Sequence, residues 1–307
     1  MRLFDLHCDT IGECYLQKQS LYRNALQLDL LRGNELAQWT QCFAIWIPDE
    51  LRDSAALHYF KQVHQFFLQQ CAQYAEEIAL CRSPKEFTDQ VSHHCSALLT
   101  VEGGAVLASD LSNITYLAQC GVRMLTLTWN GTNELGDGAL VQYPNGLTDF
   151  GRAAIPLLEN NRIAVDISHA SESLFYDVAE IAQKPLVASH SNTKALCNHP
   201  RNLTNDQICL LCQSGGLIGL NFHPLFLKQN GDAVMDDIVR HAEHILSLGG
   251  QSTLAIGSDF DGAPMPQGIT GIESVRALYE RFLRLGLQES LVDAIFYKNA
   301  NNFFVSL

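Results

Sequence analysis

The chain has 307 residues, of which 47% are hydrophobic and 17% charged, and it carries a net charge of −13 with only 20 Lys and Arg. That length holds two average domains or one β/α barrel of roughly 250 residues with insertions, and the balance is that of a globular protein able to bury a large core. The charge argues against nucleic acid or an anionic membrane as the main partner, since both need a basic face; it leaves room for one local basic residue that holds an acidic group.

Met1-Arg2-Leu3-Phe4-Asp5 shows no basic segment followed by a long apolar one. No run reaches the roughly 18 apolar residues of a membrane helix. The expected location is cytoplasmic, and the ten scattered cysteines read as reduced thiols. Cys209 and Cys212 have CxxC spacing, but they lie in a helical stretch without a second pair, so packing is their expected role.

In chain order, eight apolar, β-rich runs recur at 2–9, 41–47, 97–102, 123–129, 163–169, 185–190, 216–222 and 253–259. Amphipathic stretches at 54–75, 110–120, 148–160, 236–248 and 272–285 read as helices, and Thr204 with Gln207 reads as a capping box opening another. Strands alternating with helices imply parallel βαβ units, and eight of them imply closure into a (β/α)8 TIM-type barrel. An open doubly wound sheet favours a Gly-rich loop after its first strand, where this chain has His7-Cys8-Asp9-Thr10. No linker divides the sequence, so residues 1–307 are expected to form a single barrel domain. Its two long Gly-rich connections, 130–147 and 261–270, fall on the C-terminal side of the barrel, where this fold places active sites.

The chemistry-bearing residues fall at the ends of these runs. His7 and Asp9, two residues apart on the first run, are expected on one side of their strand. Glu102 ends the third run, His169 the fifth, His190 the sixth and Asp259 the eighth. Any one alone reads as a satisfied polar residue. Six ionisable groups at one mouth are costly to bury without a cation, and together they predict a metal site. Three imidazoles and two or three carboxylates suit Zn²⁺ and also fit Mn²⁺, Fe²⁺ or Co²⁺. Five ligands exceed what one open zinc needs and suit two metals bridged by a carboxylate and a hydroxide, with Glu102 as the bridge.

In Asp5-Leu6-His7-Cys8-Asp9-Thr10, Val101-Glu102-Gly103-Gly104, Leu125-Thr126-Leu127-Thr128, Gly146-Leu147-Thr148-Asp149-Phe150-Gly151, Asp166-Ile167-Ser168-His169, Ser189-His190-Ser191, Pro200-Arg201-Asn202-Leu203 and Gly257-Ser258-Asp259-Phe260-Asp261-Gly262 the chain resembles the membrane dipeptidase family, the renal-dipeptidase-like metallopeptidases of the amidohydrolase superfamily. The resemblance runs nearly end to end. It implies that His7, Asp9 and Glu102 hold one zinc and Glu102, His169 and His190 a second. It also implies that Asp259 moves a proton from the bridging water to the leaving amine, and that Arg201 holds the carboxylate of a dipeptide, including one with a C-terminal D-residue.

Two positions depart from the family pattern. Trp129 and Ala105 stand where many members have His, and the first of these departures bears on carbonyl polarisation and substrate range. Trp129, Asn130 and His223 are therefore read as substrate-binding candidates beside Arg201, with a packed aromatic as the other reading of Trp129. Asp261-Gly262 reads as a turn. His58, His64, His93, His94, His199, His241 and His244 read as solvated or structural. The alternatives to a zinc-dependent dipeptidase are a related amidohydrolase acting on N-acyl amino acids or lactones, and a metal-binding homologue without turnover. A homodimer is compatible with the sequence, which dictates no assembly.

Overall fold

The computed structural model describes residues 1–83, 86 and 95–307; His93 and His94 lie outside them. Among the described residues nine strands form one sheet: β1 (Arg2–Cys8), β2 (Gln38–Trp46), β3 (Ile78–Leu80), β4 (Cys95–Glu102), β5 (Val122–Thr126), β6 (Ala164–Asp166), β7 (Val187–Ala188), β8 (Leu217–Leu220) and β9 (Leu254–Ile256). All their pairings are parallel. The order runs β2-β1-β9-β8-β7-β6-β5-β4, and β2 pairs with β4 to close an eight-membered ring. The barrel follows from the eight apolar runs: a strand buried on both faces cannot alternate with polar residues, and β4 is buried at every position.

β3 is an addition that the sequence does not announce. It pairs with Cys95–Ala97 on the same edge of β4 that β5 occupies further along. Three residues are too few to show a period.

Two apolar layers hold the barrel. Inside it, every ring strand contributes: Phe4 and Leu6, Cys42, Leu98, Met124, Ala164, Val187, Leu217 and Ala255. Tyr297, Ala300 and Phe304 fill the same cluster from the segments Ala294–Lys298 and Asn299–Ser306. Phe304 stacks on Phe4 with centroids 5.4 Å apart, so these segments plug the end where the strands begin. The outer layer packs the strands against surrounding helices, including Asp53–Gln73, Asp149–Asn160 and Met235–Ser247.

The helix starts follow local chemistry. Thr148 accepts from the Gly151 N–H, and Thr204 and Gln207 form the expected reciprocal box. Cys209 and Cys212 are free thiols within the helix Asn205–Ser214. Among the described residues, no helix is long and apolar enough to cross a membrane.

Candidate active site

The site residues leave the barrel at or just beyond the strand ends. Glu102 is the last residue of β4, whereas His169, His190 and Asp259 lie in the turns after β6, β7 and β9. His169, Asp259 and Asp261 have left-handed backbones, with φ of 66°, 64° and 68°. Such conformations strain a residue with a Cβ and persist where surrounding contacts enforce them.

Strict alternation does not align His7 with Asp9. β1 pairs Asp5 with Gln41 and then Cys8 with Phe43, so one extra residue bulges out around His7. Asp9 has already left the strand, at φ −97° and ψ 5°. Bulge and turn together bring His7 Nε2 within 3.2 Å of Asp9 Oδ2. A Cβ on Gly262 would sit 2.1 Å from Asp9 Oδ2 and 2.5 Å from Asp259 Oδ1, so only glycine lets that turn approach both carboxylates.

Two fully buried aspartates brace these turns. Asp166 accepts from Ser168 N (2.9 Å), Ser189 N (2.9 Å), Ser189 Oγ (2.6 Å) and Thr126 Oγ1 (2.6 Å). Asp5 accepts from Ser258 N (2.8 Å), Ser258 Oγ (2.5 Å) and Gln41 Nε2 (3.0 Å). Each thus grips the serine that immediately precedes a site residue, His190 in one case and Asp259 in the other.

The first grip fixes a tautomer. Ser189 Oγ has one proton, which goes to Asp166, so it accepts at its 2.7 Å contact with His190 Nδ1. His190 Nε2 is left with a lone pair. Asn130 Oδ1, 2.9 Å from His169 Nδ1, does the same for His169. The side chain of Asn130, expected to meet substrate, therefore spends its oxygen on orienting His169.

The two lone-pair nitrogens, His169 Nε2 and His190 Nε2, then face each other at 2.9 Å. Glu102 Oε1 lies 2.8 Å from His169 Nε2 and 3.5 Å from His190 Nε2, yet no hydrogen bond satisfies it, because neither nitrogen has a proton to give. Asp9 Oδ1 is likewise buried and unpartnered. Acceptors converging away from water repel one another unless a cation lies among them. His7, Glu102 and His190 place ligand atoms within 4.8 Å of one another, as do His7, Asp9 and Asp259. The donor set therefore fits divalent metal, with Glu102 facing both groups: its Oε2 is 3.8 Å from His7 Nε2.

The electrostatics agree. Burial opposes a charge on His7, but Asp9, Glu102 and Asp259 outweigh it and push the imidazole up to about 10. A proton there balances the carboxylates, as a metal cation would in its place. Burial holds His169 and His190 well below the usual range, aided by Arg201 and His7, which leaves both imidazoles neutral and ready to ligate. Burial, Asp9 and Asp259 push the Glu102 carboxyl well up, against His7 and Arg201, a cost of crowding carboxylates that a cation among them would remove.

Removing the Ser189 hydroxyl tests the tautomer argument. Ser189→Ala takes from His190 its Nδ1 acceptor and is expected to weaken metal binding by roughly 10–100-fold. Titration against a chelating dye measures it, with circular dichroism to check the fold. An affinity within twofold of the parent overturns the role.

A cavity of ≈ 380 Å³ opens above the cluster. Arg201 lines it, 4% exposed, with its Nε lacking any acceptor. Burial brings its guanidinium down to about 10, which still leaves it charged at neutral pH. His223 and His199 also line the cavity, each packed against the Phe226 ring. Each uses Nδ1 to accept a backbone N–H, from Leu225 and Arg201 respectively. Burial, with His199 and Arg201 nearby, pushes His223 down to about 4.

His199 is thus part of the cavity lining as well as structural, a place that the sequence reading did not give it. His241, bonded to Thr193 N and Leu227 O, is structural. Trp129 packs edge-on against Trp46 at 5.0 Å, as the packed-aromatic reading has it, and also lines the cavity. Asp261 ties its turn to Thr10 Oγ1 and the Gln27 N–H. Sequence reasoning missed the bracing role of Asp5 and Asp166, and it missed Asn221, whose Nδ2 donates to Asp259 Oδ2 at 3.0 Å. An Asp shortly before a ligand, in Asp5-x-His7 and Asp166-x-x-His169, was the available signal.

The membrane dipeptidase (peptidase family M19) model matches residues 1–304. An uncharacterized protein in the pqqA 5′ region of Klebsiella pneumoniae is 32% identical over 235 residues, covering 73% of this chain and 84% of that one. Human dipeptidase 3 is 28% identical over 286 residues, covering 90% of this chain and 57% of that one. The crystal structure of a metallopeptidase from Rhodobacter sphaeroides, liganded with a phosphinate mimic of the dipeptide L-Ala-D-Ala, superposes with a TM-score of 0.91 at 25% identity, covering 99% of this chain and 98% of that one. A match over almost the whole length, on a barrel whose mouth gathers these histidines and carboxylates, places the chain in the membrane dipeptidase family of metallopeptidases.

Proposed function

We propose that the chain hydrolyses the peptide bond of dipeptides with two divalent metal ions, Zn²⁺ being the natural choice for a nitrogen- and carboxylate-rich set. His7 and Asp9 would hold one ion and His169 and His190 the other, with the Glu102 carboxylate facing both pairs of residues. When bound, divalent metal polarises the scissile carbonyl and acidifies water. The rest is the work of side chains. Asp259, on the same mouth, accepts a proton and returns it to the leaving amine. Asn221 holds Asp259 Oδ2, leaving Oδ1 toward the cluster, 3.8 Å from His7 Nε2. The ten thiols, none in a disulfide, suit a reducing compartment and support action in the cytoplasm.

One observation carries the substrate class: a buried guanidinium with an unused N–H lines the same cavity as the cluster. A planar fork of that kind takes a carboxylate through two parallel hydrogen bonds. The contact exists in ground and transition states alike, so it acts mainly on KM. Arg201→Ala is expected to raise KM for dipeptides strongly, lower kcat less and leave metal content intact. Arg201→Lys rescues only in part, because a point charge lacks the fork. A dipeptide amide is expected to be a poor substrate of the parent enzyme and indifferent to Arg201. Equal cleavage of dipeptide and amide by the parent overturns the reading in favour of a general amidase or lactonase.

A further inference from the structure

The cavity has two opposed walls. Around the ring, β4 is four strands from β8, so the chain leaving β2 and β5, on either side of β4, stands across the mouth from the loop after β8. The β8 wall, with the neighbouring loop after β7, carries Arg201, His223 and Phe226. The opposite wall is apolar. Trp46 ends β2, Trp129 follows β5, and their rings meet edge-on. Tyr59 adds to that wall from the helix Asp53–Gln73. Leu16 and Leu140 line the same cavity and are 53% and 54% exposed. Two large apolar side chains left open to water at a cavity mouth mark a surface that gains from being covered.

We infer that this wall is the subsite for the N-terminal residue of the substrate, and that it selects a bulky apolar side chain. This rests on the dipeptidase reading, with the substrate's carboxylate on Arg201. A dipeptide held there lays its peptide bond over the histidine and carboxylate cluster, and its N-terminal residue reaches the Trp46–Trp129 pair. Phe or Leu at that position covers the two indoles and the leucines beside them, whereas Gly leaves them wet. Glu13 lines the cavity too, and its negative charge suits the free ammonium group of a dipeptide over an acyl cap.

The test is a series of dipeptides sharing one C-terminal residue, with Gly, Ala, Leu or Phe at the N-terminus, beside N-acetylated counterparts. The metal-loaded enzyme is expected to show kcat/KM rising roughly 10–100-fold from Gly to Phe. Trp129→Ala is expected to flatten that rise. Trp129→His provides a second variant should the first not fold, and it too should reduce the slope. A flat or falling series, with all four dipeptides cleaved, overturns this inference and leaves the dipeptidase reading standing. Cleavage of the acetylated compounds with no dipeptide turned over overturns the dipeptidase reading, and this inference with it.

Discussion

Glu102→Gln is expected to lose at least one of two metal equivalents and to lower activity by more than about 10²-fold, since even the outer partners of metal ligands are worth 10–100-fold. Glu102 is almost wholly buried, and its two oxygens face three imidazoles: Oε1 toward His169 and His190, Oε2 toward His7. The amide keeps the shape but removes the charge that balances metal. It also presents an N–H₂ group to the cluster, so a donor replaces an acceptor in a place built to attract cations. Elemental analysis of the reconstituted protein and kinetics at fixed metal concentration provide the measurement. Unchanged stoichiometry and kcat remove Glu102 from the bridging position. A parent enzyme fully active with one equivalent removes the two-metal reading itself.

Asp259→Asn is expected to preserve metal content and to lower kcat by roughly 10²–10⁴-fold. The substitution spares the framework. Asn221 Nδ2 can still donate to the amide oxygen at this position, and Asp5 still grips Ser258 beside it. What disappears is a carboxylate able to take a proton. Without a cation in the cluster, burial and the neighbouring Asp9 raise its pKa, against the pull of His7, Asn221 and Arg201. A kcat within twofold of the parent assigns the proton to another group.

The barrel was legible because its eight strands are apolar on both faces, and runs such as 97–102 have no other place to go than between layers. The site was legible because nothing in packing asks for His, Asp or Glu at the ends of such runs. What stayed hidden depends on the exact path of the backbone. The turns beyond β6 and β9 extend past the ladders with left-handed residues, so His169 and Asp259 looked like strand ends in the sequence and are not. The bulge around His7 leaves no mark in composition. The cradles of Asp5 and Asp166 join residues far apart in sequence, such as Asp5 and Ser258, and no local pattern reports such a pair. His199 lies two residues before Arg201 in sequence, but its ring contact with Phe226, from another loop, forms only in the fold.

The plug of Tyr297, Ala300 and Phe304 beneath the barrel bears on how the molecule is made. The inner face of β1, with Phe4 and Leu6, emerges early in synthesis, and its stacking partner Phe304 emerges after all eight ring strands. Until then the apolar interior stays open at one end to water and to other chains. Contacts so distant in sequence form slowly, and an uncapped, strand-rich intermediate of this kind is prone to aggregate. Productive folding of this enzyme is therefore a race between closure of the barrel floor and self-association, and a cell that keeps nascent chains apart decides the yield.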